Sequence, residues 1–126
     1  MEEKNKVILL VDDDPLIIRM YQRKLMNDGH QVNIAANGEE ALTQVRRQKP
    51  DLILLDVMMP KMNGVETLKA LKSDQRTKSI PVVILTNLGD REDDVEKAKR
   101  LGALDYVVKS EISLKQLSEL VKKIVG

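Results

Sequence analysis

The chain has no cysteine, no phenylalanine and no tryptophan, and its single histidine is His30. Without cysteine there can be no disulfide, no thiolate metal site and no cysteine nucleophile. One histidine excludes multi-histidine metal centres. Beside Gly29, it reads as a solvent-facing turn residue. Tyr21 and Tyr106 are the only aromatic residues, so the core must be aliphatic and platforms for stacking nucleic-acid bases are lacking. No apolar run approaches the roughly 20 residues needed to span a bilayer. The polar start, Met1-Glu2-Glu3-Lys4-Asn5-Lys6, lacks the apolar segment of a secretory signal, which makes a cytoplasmic location the expectation. Neither charge sign dominates: 21 basic and 20 acidic residues leave a net charge of +1. That balance gives no support for nonspecific nucleic-acid binding, which needs a basic face.

What is present is an alternation of apolar runs and amphipathic stretches within 126 residues, a length suited to one domain over 1–126. Short aliphatic runs at Val7–Val11, Val32–Ala36, Leu52–Asp56, Val82–Thr86 and Leu104–Val108 read as strands. Continuous apolar runs suit strands buried on both faces, as in a parallel sheet. Helices are expected between them. Asp14-Pro15 reads as an N-cap followed by proline at the first helical position. Ile17, Met20, Tyr21 and Leu25 then share a face, and Asp28-Gly29 closes that helix. Asn37 with Glu40, and Ser113 with Gln116, have the spacing of capping boxes. Glu92, Asp93 and Asp94 suit the first turn of a fourth helix, and Gly102 its C-terminal cap. Five strands alternating with five helices predict a doubly wound α/β domain.

In open α/β sheets, ligands bind outside the carboxyl ends of the strands. Four of the five strands end in residues that can do chemistry. The first ends in Asp12 and Asp13, with Asp14 beside them. The third ends in Asp56, the fourth in Thr86 and the fifth in Lys109. Any one alone is unremarkable: Asp14 is a helix cap, Thr86 a strand residue, Lys109 a surface lysine. Together they form a coherent set. Crowded carboxylates repel and call for a cation, a bound proton or phosphoryl chemistry. Magnesium takes hard oxygen ligands of this kind. A carboxylate can be a nucleophile that forms an aspartyl phosphate, and phosphoryl transfer needs positioned positive charge.

Val-Asp-Asp-Asp-Pro at 11–15, Leu-Asp-Val-Met-Met-Pro at 55–60, Asn63-Gly64, Thr86, Gly102-Ala103 and Lys109 together resemble the signature of a response-regulator receiver domain, of the chemotaxis type, from two-component phosphorelay signalling. The resemblance covers essentially the whole chain. It implies a (βα)5 flavodoxin-like three-layer sandwich with a parallel five-stranded sheet in the order 2-1-3-4-5. It implies Asp56 as phosphoacceptor, and Mg2+ held by Asp12, Asp13, Asp56 and the backbone carbonyl of Met58, with Asp13 preferred over Asp12 as a direct ligand. Thr86, Asn87 and Lys109 would bind the phosphoryl group, and Thr86 and Tyr106 would form the switch. The implied function is a phosphorylation-dependent signalling switch, not an enzyme acting on an outside substrate. Its phosphoryl donor would be a sensor histidine kinase or a histidine phosphotransfer protein. An output partner, not identifiable from the sequence, would read the surface of the fourth helix, fifth strand and fifth helix. No nucleic acid or membrane is implied as a direct partner; a monomer or a phosphorylation-dependent homodimer is.

Two positions depart from the family pattern. Ser110 follows Lys109 where proline is usual and its peptide bond usually cis; a non-proline cis bond costs about 3 kcal/mol, which weighs against that geometry here. Asn87 follows Thr86 where a small residue is usual, and would narrow or contact the phosphoryl site. Met58 and Leu88, two residues past Asp56 and Thr86, are apolar and cannot orient an attacking water, so slow loss of phosphate is expected.

Two other classes compete. A magnesium-dependent phosphohydrolase with an aspartyl nucleophile usually carries Asp-x-Asp-x-Thr after its first strand. Here Leu16 lies four past Asp12 and Ile18 four past Asp14, and no cap domain is apparent. A flavodoxin-like cofactor module would present a Ser/Thr/Gly-rich loop to a phosphate, where three successive aspartates would repel it.

Overall fold

The computed structural model describes residues 6–59, 62–87 and 92–126, for Glu92 the backbone alone. Ten elements alternate strictly: β1 (Val7–Val11), α1 (Pro15–Asn27), β2 (Gln31–Ala35), α2 (Gly38–Arg47), β3 (Leu52–Asp56), α3 (Gly64–Ser73), β4 (Val82–Thr86), α4 (Glu92–Arg100), β5 (Asp105–Val108) and α5 (Leu114–Val125). All strand pairings are parallel and the sheet order is β2-β1-β3-β4-β5. The expected boundaries of β2 and β5 each differ by one residue: β2 starts and ends one residue earlier, and β5 starts at Asp105 instead of Leu104.

Each apolar strand feeds two cores, because successive side chains point to opposite faces. Ile8, Leu10, Leu52, Leu54, Val83 and Leu85 pack under α1 and α5, against Tyr21, Leu25, Leu117 and Val121. Leu9, Val11, Ile53, Leu55, Val82 and Ile84 pack on the other side, against Ala41 and Val45 of α2, Leu68 and Leu71 of α3 and Ala98 of α4. β3 and β4 are buried along their whole length, which explains their unbroken aliphatic sequences.

Local chemistry sets the helix ends. Asp14 accepts from the Leu16 amide at 2.9 Å, with Pro15 opening α1. Ser113 and Gln116 form a full reciprocal capping box, as do Asn63 and Glu66. At α2 the reciprocal arm differs: Glu40 takes the amide of Ala36 instead of that of the cap, Asn37. Gly29 and Gly102 end their helices with φ of 95° and 110°, in the left-handed region that glycine tolerates. His30 is half-buried, not solvent-facing, and its Nδ1 has no hydrogen-bond partner among the described residues. The tight α1–β2 turn, with the His30 amide bonded to the Leu25 carbonyl, draws the ring inward.

Gly64 fixes the loop after β3. A Cβ there would lie 2.3 Å from the Asp56 carbonyl oxygen, with no flexible side chain to give way. Gly64→Ala is therefore expected to destabilise the protein by roughly 1–3 kcal/mol, as overpacking against backbone does. Urea unfolding of the two proteins measures it; equal midpoints would contradict it.

Candidate functional site

The strand register gathers the chemistry-bearing residues. Val11 lies opposite Leu55, which sets Asp12 level with Asp56. Asp56 lies opposite Leu85, and Thr86 opposite Val108, so Thr86 and then Lys109 project just beyond. The Lys109 amide bonds the Thr86 carbonyl at 2.7 Å, tying the ends of β4 and β5 together.

At the centre is a buried ion triad. Lys109 Nζ lies 2.9 Å from Asp12 Oδ2 and 3.4 Å from Asp56 Oδ2, with all three side chains almost wholly removed from solvent. The remaining carboxylate oxygens are held by backbone. Asp12 Oδ1 accepts the Asp14 amide at 2.9 Å, and Asp56 Oδ1 accepts the Met58 amide at 3.2 Å. Burial pushes Asp56 up to about 7, the charge of Asp12 pushes it the same way, and Lys109 and the Met58 amide offset only part of this. Burial pulls the Lys109 ammonium down, but hydrogen bonds and charge from Asp12 and Asp56 outweigh it and leave Lys109 above its ordinary value. Two carboxylates thus share one cation, and the site carries excess negative charge.

Asp13 is exposed, unlike Asp12, yet carboxylate oxygens of Asp12, Asp13 and Asp56 all lie within 4.8 Å of one another. Three hard oxygen donors around a charge-deficient pocket fit a divalent cation that prefers carboxylate and water ligands. Asp14, committed to capping α1, is not among them.

Thr86 is buried at the mouth of this pocket, its Oγ1 directed to the Asn87 carbonyl at 3.3 Å, while Asn87 is exposed. Met58 places its amide on Asp56 and is itself about half exposed. Tyr106 faces outward, 40% exposed, with Lys99 Nζ of α4 4.7 Å from its ring centroid. The peptide bond between Lys109 and Ser110 is trans, like every other among the described residues. Leu88, and Pro60 and Lys61 of the loop after β3, lie outside the described residues.

One residue at the site carries no sequence signal. Tyr21 sits on the inner face of α1, where periodicity marks it as core, yet its buried hydroxyl lies within the electrostatic reach of Lys109 and Asp12. Spacing along a helix cannot distinguish a tyrosine placed for its ring from one placed for its oxygen.

A sheet of this order with an acidic, lysine-bearing pocket at its carboxyl edge defines a doubly wound α/β domain with a strand-end charge site. The family model of the response regulator receiver domain matches residues 8–122, and the chain belongs to that family. PilH of Pseudomonas aeruginosa is 41% identical over 102 residues, which make up 81% of this chain and 84% of PilH. The chemotaxis response regulator CheY4 of Vibrio cholerae superposes with a TM-score of 0.86 at 29% identity, covering 96% of this chain and 99% of that one. The Mn(2+)-bound form of response regulator Rcp1 superposes with a TM-score of 0.79 at 37% identity, covering 94% and 91%. The chain spans about half the length of other curated relatives, 50% and 49% in two transcriptional regulators that it matches at 41% identity. Among the described residues, no helix is long and apolar enough to cross a membrane.

The elevated Asp56 has a thermodynamic consequence. Its folded-state value of about 7 lies above its ordinary 3.8, so the native protein binds the extra proton between those values. The contribution is complete below about pH 4 and is lost as pH rises through about 7, by roughly 2–4 kcal/mol. Asp56→Asn, which keeps the shape and removes the charge, should therefore be more stable than the parent at pH 8 in chelator, by roughly 1–3 kcal/mol. The gap should close toward pH 5. Denaturant unfolding at both pH values tests this; a gap that widens toward acid contradicts it.

Proposed function

We propose that this domain, expected to occupy residues 1–126, is a phosphorylation-dependent switch with Asp56 as its phosphoacceptor. The observation that carries the proposal is the buried Asp12–Lys109–Asp56 triad, in which a carboxylate and its neutralising cation meet at the joined strand ends. Asp56 attacks phosphorus through a carboxylate oxygen. An O–P bond forms as the bond from phosphorus to the donor breaks, and the electron pair leaves with the donor. That donor is a histidine on a sensor kinase or phosphotransfer protein, or a small acyl phosphate.

Asp12, Asp13 and Asp56 would hold Mg2+, with the Met58 carbonyl as a further ligand; the Mn2+ of the similar Rcp1 supports a divalent site. When bound, the metal supplies positive charge against the phosphoryl oxygens. Lys109 would supply a second positive charge, and Thr86 would donate a hydrogen bond from its hydroxyl. Asn87, next along the chain, would contact the same group. The phosphoryl group adds close to two negative charges and three acceptor oxygens. Thr86 turning toward it would free space for Tyr106, now outward, to turn in. The surface of α4, β5 and α5 would then change for an output partner, or for a second copy of the chain. A cytoplasmic location accords with this role. The phosphohydrolase alternative has no observation in its favour.

Asp56→Asn is expected to abolish incorporation from acetyl phosphate, and chelation of divalent metal to reduce it at least tenfold. Labelled incorporation measures both; a normal, equally stable phosphoryl group on the variant would show that another residue is the acceptor. The wild-type phosphoprotein is expected to lose its label slowly, over minutes or longer, because apolar Met58 cannot orient water. Loss within seconds would rule this out.

A further inference from the structure

The end of β2 carries no reactive side chain, yet the turn that follows it is bonded to both acidic strand ends. The Ala35 carbonyl accepts the Asp12 amide at 3.1 Å, and three residues on the Gly38 amide donates to the Met62 carbonyl at 3.1 Å. Met62 stands near the end of the loop between β3 and α3, the loop that follows Asp56 and carries Met58. Residues 35–38 therefore tie the Asp12–Asp13 end of β1 to the far end of that loop. The turn is itself held: Asn37 accepts the Glu40 amide at 2.9 Å, and Glu40 accepts the Ala36 amide at 2.8 Å.

Gly38 makes this seat possible. Its φ lies outside the left-handed region, so its backbone conformation does not demand glycine, which costs more conformational entropy in a helix than alanine does. The demand is for space. A Cβ at 38 would lie 2.6 Å from the Met62 carbonyl oxygen and 2.8 Å from the Met62 Cβ, and closer still to Thr67 Oγ1. Thr67 is wholly buried, with that hydroxyl donating to the Asn63 carbonyl at 2.8 Å, so it has little room to give. The same loop end continues to Gly64, whose amide donates to the Val57 carbonyl at 2.9 Å and whose Cα bears on the Asp56 carbonyl. A displacement of Met62 is thus passed within two residues to the backbone of Asp56.

We infer that Gly38 is a positioning residue for the divalent-cation site: by seating α2 against the Met62 carbonyl, it fixes the separation between the Asp12–Asp13 end of β1 and the loop after Asp56. This rests on the reading above that these carboxylates hold Mg2+. The test titrates Mg2+ alone, without phosphoryl donor, into the wild type, Gly38→Ala and Gly102→Ala by calorimetry, with thermal unfolding of each. Gly102, left-handed and just before β5, supplies a destabilised control at the opposite edge of the sheet. Gly38→Ala is expected to bind Mg2+ about tenfold more weakly than the wild type and Gly102→Ala to bind it normally, although both melt lower. Wild-type affinity in Gly38→Ala overturns the inference. So does equal weakening in the two variants, which marks a general loss of stability. Amide exchange in the wild type decides the matter if Gly38→Ala does not fold. Coupling is reciprocal, so saturating Mg2+ should slow exchange of the Gly38 amide at least threefold more than that of the Gly102 amide, which is bonded to the Lys99 carbonyl. Equal slowing of the two amides overturns the inference. A wild type that binds no Mg2+ overturns the cation reading itself, and the positioning role with it.

Discussion

The rest of the site depends on one ammonium group, that of Lys109, held between two buried carboxylates. Without a counter-charge, burying Asp12 and Asp56 together at the end of an aliphatic sheet would carry a large desolvation penalty. Lys109 follows directly on β5, whose last residue Val108 is level with Thr86 at the end of β4, and the register of β1, β3 and β4 sets Asp12 and Asp56 beside it. The aliphatic strands therefore do more than fill a core. They set the ladder that brings three strand ends to within one salt-bridge length.

The fold was legible because each level of signal agreed. Apolar runs, Asp14-Pro15, the capping box at Ser113 and the glycine at 102 all pointed to the same alternation. The strand-end residues were legible as a set for the same reason: parallel topology sends every strand's carboxyl end to one edge. Their individual roles were less so. Sequence cannot say that Asp12 is buried and Asp13 exposed, because adjacent residues past a strand end differ only in which way the chain turns. The ring of Tyr106 was legible only through family resemblance, and the hydroxyl of Tyr21 not at all, because hydrophobic periodicity counts tyrosine as bulk.

The inequality between Asp12 and Asp13 matters for the chemistry. Asp12 is already committed, one oxygen to the Asp14 amide and the other to Lys109. Asp13 faces solvent and has no such commitment among the described residues, so the two neighbouring carboxylates are not equally available to a cation. Asp56 stands between these roles: near Lys109 on one oxygen, backed by a backbone amide on the other, and raised toward neutrality by its surroundings. A carboxylate in that state gains from any added positive charge, so a cation placed beside it would favour its ionised form.

The two ends of the proposed switch differ in strength for a physical reason. At the buried end, charges meet in a medium of low polarizability, and small displacements carry large energies. At the exposed end, Tyr106 is held outward by a solvent-facing lysine against its ring, a contact worth only about 0.5–1 kcal/mol. A change of about 1.4 kcal/mol alters an equilibrium tenfold. Strong interactions around Asp56 can therefore redistribute a weakly held ring at the surface. The reverse influence, of a partner that prefers one Tyr106 position on the affinity of the pocket for its charge, must be equal in free energy.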